Sequence, residues 1–585
     1  MSEPIKKATL SDPTHQIPFK TKSPGRLPYH HPEMIVYSVC HHSYDDHPIQ
    51  KILRTLHLQV FLFIGLMVCH AREVSITILH TTDLHANILP MTDYKGTPDM
   101  GGLARCASMI KKIRSEEKNV LLVDAGDLYQ GNAIGYRTKG SVMVRAVNML
   151  RYDAWTLGNH EFDWGIDKVA ARIAQAQVPV LAANLHYHPA GSTPSDITES
   201  FGKIQPYIIR EVDGVKVGIV GLTTPGIPNW SRPRLIPGIT LENSVPSLKR
   251  VIPQMKALGC EILVLVTHQG LRESGDNHAN ELNAVSSAFP ELDVIIGGHS
   301  HQLRKQQSIR GILYTQANYW GTYLGRVDLI YDTKKQKLAS KKADPILMDS
   351  SINMDSELLA LLRSDLDETT KFLNARIGET AEPLYSLTGP KKETPVFNLF
   401  CSAIAEAIRL RGGEVDGVLH GIWNERMTLE PGPITMRDIF ELVPYENTIG
   451  VALLTKNQLL DILEENVTAY QTSQFRGLWG LTMRLGLSEP RGKQIVFLGN
   501  ESAVSLDPKS LVRVAFNSFD LASGGDRWRK LREIVDQPAV QLKEYDFQTR
   551  DAVVEYIQKH SPLKVELHGW WSLERSGASR KTDKP

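Results

Sequence analysis

Two periodicities of hydrophobic and polar residues alternate along this chain. From Val74 onward, short apolar runs bounded by turn residues read as buried strands: Val74–Leu79, Asn119–Val123, Ala154–Thr156, Val178–Ala182, Val215–Val220, Glu261–Val266 and Asp293–Ile296. Between several of them, apolar positions recur at helical spacing, as in Leu103–Arg114, Ile166–Ala176 and Val245–Leu258. Strands alternating with helices predict an α/β layered domain, expected over residues 72–345. A polar helical stretch, Asp355–Arg363, marks 346–382 as a helical linker. A second unit is expected over 383–575, followed by a disordered tail, 576–585.

The pattern upstream is different. Residues 1–50 hold Pro13, Pro18, Pro24, Pro28 and Pro32, with histidine pairs at His30-His31 and His41-His42 and no sustained apolar period. They read as a disordered extension; metal binding by the histidines is the rival reading. Residues 51–71 run from Lys51-Ile-Leu-Arg54 through an apolar stretch, Val60–Val68, to Cys69-His70-Ala71. That is the order of a secretory signal: basic start, apolar middle, small residues at the cut. Such a signal begins near an N-terminus, so synthesis is expected to start near Met34 or later. An uncleaved anchor is the alternative, and lipidation at Cys69 is disfavoured by Val68 before it. Export to the periplasm or cell surface is the expected destination.

Composition narrows the function. Lys plus Arg number 66 and Asp plus Glu 65, a net charge of +1, which gives no electrostatic basis for binding a nucleic-acid polymer. The 5 cysteines are scattered and form no CxxC pair, so neither a disulfide scaffold nor a thiolate metal site is expected. No apolar run reaches the ~18 residues of a spanning helix, so any membrane contact is expected through the N-terminal segment alone.

Chemistry enters at the strand ends. Five expected strands lead into His80-Thr-Thr-Asp83-Leu-His85, Asp124-Ala-Gly-Asp127, Gly158-Asn159-His160-Glu161-Phe162-Asp163, His268, and Gly297-Gly298-His299-Ser300-His301. Ligands of open α/β sheets bind beyond the carboxyl ends of the strands, so these residues are expected on one rim. Imidazole, carboxylate and amide donors without thiolate suit Zn, Mn, Co or Fe. Asp83, His85, Asp127, Asn159, His268, His299 and His301 exceed the needs of one tetrahedral ion and suit two ions sharing a carboxylate.

In this order the motifs resemble the calcineurin-like metallophosphoesterases. Leu79-His-Thr-Thr-Asp-Leu-His85 and Gly158-Asn-His-Glu-Phe-Asp163 are similar to the 5′-nucleotidase branch, which includes UDP-sugar hydrolases and 2′,3′-cyclic phosphodiesterases. The resemblance implies a four-layer α/β/β/α sandwich followed by an α+β 5′-nucleotidase C-terminal domain. It implies that Asp127 bridges two divalent ions, with Asp83, His85 and His301 on one and Asn159, His268 and His299 on the other. It implies that His160, oriented by Asp163, contacts the transferring phosphoryl group. Asn184 reads as structural.

The same resemblance extends to the second unit. Val443-Pro-Tyr-Glu-Asn447 is similar to the family segment carrying a base-stacking ring, which implies Tyr445. Ser523-Gly-Gly-Asp526 resembles the turn whose carboxylate binds ribose, which implies Asp526. Phe519 is the natural second ring, although Asp520 stands at the family's aromatic position. His420-Gly-Ile-Trp-Asn-Glu-Arg426 replaces the family's Asn-Gly-Gly-Gly-Ile-Arg, which leaves Arg426 as the expected phosphate ligand and Trp423 and Asn424 where glycines usually stand. Lys391 and Lys392 stand near the family's phosphate-binding arginines. The expected activity is release of phosphate from nucleoside 5′-monophosphates by direct attack of metal-activated water. The alternatives on the same metal site are 2′,3′-cyclic phosphodiesterase, UDP-sugar hydrolase and sulfur-ester hydrolase. A non-catalytic, metal-binding surface protein is a third class.

Overall fold

The structure is a computed structural model that describes residues 72–188, 203–386 and 392–574. The expected extension and signal segment, Lys391 and the expected tail lie outside the described residues. Among the described residues no helix is long and apolar enough to cross a membrane.

Two sheets stack face to face in the first half. One has eight strands, in the order Lys337–Ala343, Tyr323–Asp332, Glu73–Thr81, Val120–Asp124, Ala154–Thr156, Val180–Leu181 and Ile204–Gln205, with Ile346–Leu347 pairing off Tyr323–Asp332. From Glu73–Thr81 to Ile204–Gln205 the pairing is parallel; Glu73–Thr81 pairs antiparallel with Tyr323–Asp332. The other has six strands, in the order Leu303–Ile309, Ile312–Ala317, Val294–Ile296, Ile262–Thr267, Val215–Leu222 and Tyr207–Val212, parallel through its four central members.

Side chains of a strand alternate between its faces, and this alternation builds the layers. Val74, Ile76, Ile78, Leu121, Val123 and Ala154 of the first sheet meet Val217, Ile219, Ile262, Val264, Val266 and Ile296 of the second in one core between the sheets. The intervening Leu79, Leu122, Trp155 and Val180 point the other way, onto helices Leu103–Glu116, Ser141–Leu150 and Ile166–Gln175. Val220, Leu222, Leu263 and Leu265 likewise cover helices Ser244–Ala257 and Leu282–Ala288. The result is the expected α/β/β/α order. Buried runs with no polar position follow from strands covered on both faces.

Asp355 caps helix Ser356–Leu373 by accepting from the Leu358 backbone N–H at 2.8 Å, and the helix runs twice as far as the apolar spacing predicts. Its Leu358 and Leu362 join the helix-side core of the first half. In the second half, Gly477–Trp479, Gly417–His420, Leu511–Asn517, Thr448–Thr455 and Lys543–Gln548 form a five-stranded mixed sheet. Helices Pro395–Leu410 and Thr549–His560 pack on one face, Lys456–Val467 and Arg529–Val535 on the other. The described residues of both halves belong to one compact unit.

Trp155 is fully buried, its ring 5.9 Å from that of Tyr129. Trp155→Ala should destabilise the fold by about 3–5 kcal/mol in denaturant unfolding. A change below about 1 kcal/mol would mean the strand does not sit in this core.

Candidate active site

The carboxyl ends of five strands converge on one rim. Glu73–Thr81 delivers Asp83 and His85, Val120–Asp124 delivers Asp127, and Ala154–Thr156 delivers Asn159. Ile262–Thr267 delivers His268, and Val294–Ile296 delivers His299 and His301. Parallel pairing continues into the loops: Asp83, His85 and Ala86 donate backbone N–H groups to the carbonyls of Gly126, Asp127 and Leu128 at 2.9, 2.9 and 3.0 Å. The backbone is strained there. Asp83, His85, Asp127, His299 and His301 have φ of 51°, 48°, 55°, 68° and 52°. Non-glycine residues rarely adopt this left-handed region, and each instance costs on the order of 1–3 kcal/mol. Gly158 has no such choice: a Cβ there would fall onto the Asp127 carboxylate.

Two constellations result. The ligand atoms of Asp83, His85 and His301 lie within 4.8 Å of one another, as do those of Asp127, His268 and His299. Tautomers are fixed from outside the cluster. His85 Nδ1 donates to the Gln130 carbonyl at 2.6 Å and His268 Nδ1 to the Ala125 carbonyl at 2.8 Å, so both Nε2 atoms present lone pairs inward. The inward atoms are crowded: His268 Nε2 stands 3.0 Å from Asp127 Oδ2, and His85 Nε2 stands 3.0 Å from His301 Nε2. His299 Nδ1 lies 3.0 Å from Asn159 Oδ1, and His301 Nε2 lies 3.4 Å from Asp83 Oδ1. Such crowding is relieved by a cation or a proton. Burial by itself lowers the His268 pKa, but Asp127 and Asp83 outweigh it and push it up to about 9. Burial and the neighbouring His268 hold His299 down at about 3. A buried set of carboxylate, amide and imidazole acceptors with fixed tautomers fits divalent metal ions.

His160 stands beside these groups. Its Nδ1 donates to Asp163 Oδ2 at 2.7 Å, its backbone N–H donates to Asp127 Oδ1 at 2.9 Å, and its ring lies 5.1 Å from that of His85. Burial disfavours its charge, but Asp163 and then Asp127 outweigh that and raise it to about 10. His80 is buried in the same motif without a hydrogen-bond partner, its ring over Gly325 of the paired strand, and burial lowers it to about 3. Asn184 bonds only backbone, at Thr223 and Glu242.

Sequence reading missed Glu161. Its carboxylate accepts from the backbone N–H of Gly158 at 2.6 Å, Asp127 at 3.0 Å and Leu128 at 2.8 Å, tying two ligand loops together. Burial, then Asp127, raises it to about 7.

A cavity of about 440 Å³ joins the rim to the second half. Asp127, Asn159, His160, Asp163, Trp230, His299 and His301 line one wall; Trp423, Tyr445, Ser473, Gln474, Arg476, Phe519 and Arg527 line the other. Tyr445 is 44% exposed, and Trp423 packs edge-on against His420 at 4.8 Å. The remaining expected substrate residues are not brought here. Arg426 is exposed and outside the lining. Asn424 turns back to donate to the Glu441 carbonyl at 3.2 Å. Lys392 lines a separate cleft of about 40 Å³ with Ser386 and Thr394. Asp526 is held by Arg529, with His278 at 3.7 Å. Arg476 and Arg527 supply the cations of this wall instead, and Trp230 adds a ring 5.0 Å from His299.

Residues 76–303, which carry the histidines and carboxylates of the rim, match the family model "Calcineurin-like phosphoesterase". Residues 376–533 match "5′-nucleotidase, C-terminal domain", so the chain belongs to the phosphoesterase hydrolases that join these two domains. It is 28% identical over 630 residues to the trifunctional nucleotide phosphoesterase protein YfkN of Bacillus subtilis (strain 168), covering 90% of this chain and 41% of that one. It is 28% identical over 546 residues to the 2′,3′-cyclic-nucleotide 2′-phosphodiesterase/3′-nucleotidase of Salmonella typhimurium, covering 78% of this chain and 82% of that protein. The structure of the 5′-nucleotidase precursor from Thermus thermophilus superposes with a TM-score of 0.64 at 25% identity, covering 86% of this chain and 99% of that one.

Glu161→Gln replaces one acceptor oxygen by an amide that faces backbone donors. It should weaken divalent-ion affinity about 10- to 100-fold in chelator competition. Unchanged affinity would mean the loops hold their geometry without this carboxylate.

Proposed function

We propose that this protein is a dinuclear-metal phosphohydrolase that releases phosphate from nucleoside 5′-monophosphates by direct attack of water, without a phosphoenzyme. The observation that carries the reading is the pair of three-residue constellations at one rim. Asp83, His85 and His301 would hold one divalent ion and Asn159, His268 and His299 the other, with Asp127 shared; Zn, Mn, Co or Fe suit these donors. When bound, such a pair supplies Lewis acidity at phosphoryl oxygens and makes a water acidic enough to attack near neutral pH.

The chain's own residues do the rest. Asp163 holds the Nδ1–H of His160, so its Nε2–H is free to donate into the cavity. A charged imidazole there stabilises negative charge developing on the phosphoryl group. Tyr445, Phe519 and Trp423 offer flat apolar surface to a nucleobase, each stacked base gaining ~1–3 kcal/mol. The two walls belong to the two matched domains, so closing them over the substrate would exclude water.

A second reading keeps the metal site and changes the substrate to a 2′,3′-cyclic nucleotide or a UDP-sugar. Trp423, which lines the cavity where the family's glycine turn stands, favours it. The Salmonella relative is named for the cyclic-nucleotide activity. Export follows from the basic, apolar and small-residue order of 51–71.

His160→Asn should lower kcat for p-nitrophenyl phosphate and for AMP about 10²- to 10⁴-fold. Chelation followed by dialysis should abolish hydrolysis, and one of the four metals should restore it. Near wild-type rates in His160→Asn, or full activity after chelation, would contradict the proposal.

A further inference from the structure

We propose that the C-terminal wall of the cavity carries a second anion subsite built on Arg527, and that the preferred substrates are nucleotides whose leaving group bears a second phosphate. This rests on the phosphohydrolase reading above and names the substrate class of the same site.

Three arginines lie together on this part of the fold, and two are already paired. Arg476 is buried, with Nε 3.0 Å and Nη2 3.3 Å from the carboxylate of Asp520. Arg529 holds Asp526. Arg527 joins neither pair. Its Nε donates to the Gly524 carbonyl at 2.7 Å, which fixes the guanidinium, and its Cζ lies 5.5 Å from the Phe519 ring centroid. Among the described residues its two Nη groups have no carboxylate partner, and the residue is exposed into the cavity it lines. Four successive left-handed residues, Ser523, Gly524, Gly525 and Asp526 (φ 92°, 54°, 70° and 72°), form the turn that presents it.

The charges add up in one direction. Arg476 and Asp520 cancel, and Glu446, the carboxylate that lines this wall, is bonded to Trp164 and stands 3.8 Å from both Lys139 and Arg550, which leaves Arg527 without a carboxylate partner here. A planar fork of free N–H donors matches phosphate oxygens bidentately. Seating a phosphate there breaks no existing ion pair. Asp520 is the reason: it stands where the resemblance places an aromatic ring, and through Arg476 it turns this end of the cavity from apolar to polar. Ser473, Gln474 and Arg476 continue that polar character.

The two anion positions are distinct. Asp127, His160 and His299 line the cavity from the rim of the first half, whereas Arg527 lines it from the second half. The scissile phosphoryl group belongs at the histidine rim, so Arg527 faces the leaving group. A cavity of about 440 Å³ is in the range that holds a nucleotide-sized ligand.

The test compares adenosine 3′,5′-bisphosphate with AMP as substrates of the full chain loaded with divalent ion, by release of inorganic phosphate. The wild type should favour the bisphosphate at least about tenfold in kcat/KM, chiefly through KM. Arg527→Gln should shrink that ratio about 10- to 100-fold, and Arg527→Lys should keep part of it. A wild type without preference overturns the subsite, and this arm stands even if the variants fail to fold. Equal losses on both substrates in Arg527→Gln also overturn it, because the guanidinium would then serve the scissile group. p-Nitrophenyl phosphate separates the two levels. Hydrolysis of it without a bisphosphate preference defeats the subsite alone; hydrolysis of none of the three defeats the phosphohydrolase reading and the subsite with it.

Discussion

Imidazoles and carboxylates crowded together on one rim set the terms for this molecule. His85 and His301 bring Nε2 atoms to 3.0 Å, and His268 brings Nε2 to 3.0 Å from a carboxylate oxygen of Asp127. Buried acceptors so arranged repel unless positive charge sits among them. Backbone carbonyls outside the cluster take the Nδ1 protons of His85 and His268, which turns their Nε2 atoms inward. The chain thus gathers imidazole and carboxylate donors where divalent cations or protons satisfy them, and that is the physical content of the metal-dependent reading.

The sandwich is what makes such a site possible. Five candidate ligands sit in left-handed backbone, a strain on the order of 1–3 kcal/mol each. Two sheets sharing a dry core of Val, Ile and Leu, with helices on both outer faces, hold the strand ends in place. Glu161 then links the Asp127 loop to the Gly158 loop through three backbone N–H groups. His160 is fixed at two points, since its backbone binds the Asp127 carboxylate and its side chain binds Asp163.

Much of the rim was legible in the sequence, because each donor follows a predominantly apolar strand. The strands from Val74 and Val215 and the helix from Leu103 lie within a residue or two of where the pattern places them. Tyr323–Asp332 was not read, although it pairs along the length of Glu73–Thr81. Its buried Val327, Leu329 and Tyr331 alternate with Arg326 and Asp328, a period of two that apolar Ile330 interrupts. The opposite wall was least legible. Tyr445, Phe519 and Trp423 reach the cavity, but Arg426, Asn424, Lys392 and Asp526 do not. Those positions depend on which neighbour captures each charge, as Arg529 captures Asp526, and motif spacing carries no record of that. Arg527 follows directly on the Gly-Gly-Asp turn, which was the available signal.

Elemental analysis of the purified protein tests the central claim most directly. The account predicts close to two divalent transition-metal ions per chain, falling in Asp127→Asn, as the proposed sharing of that carboxylate requires. A chain that hydrolyses phosphate esters at full rate while holding no such ion would contradict it.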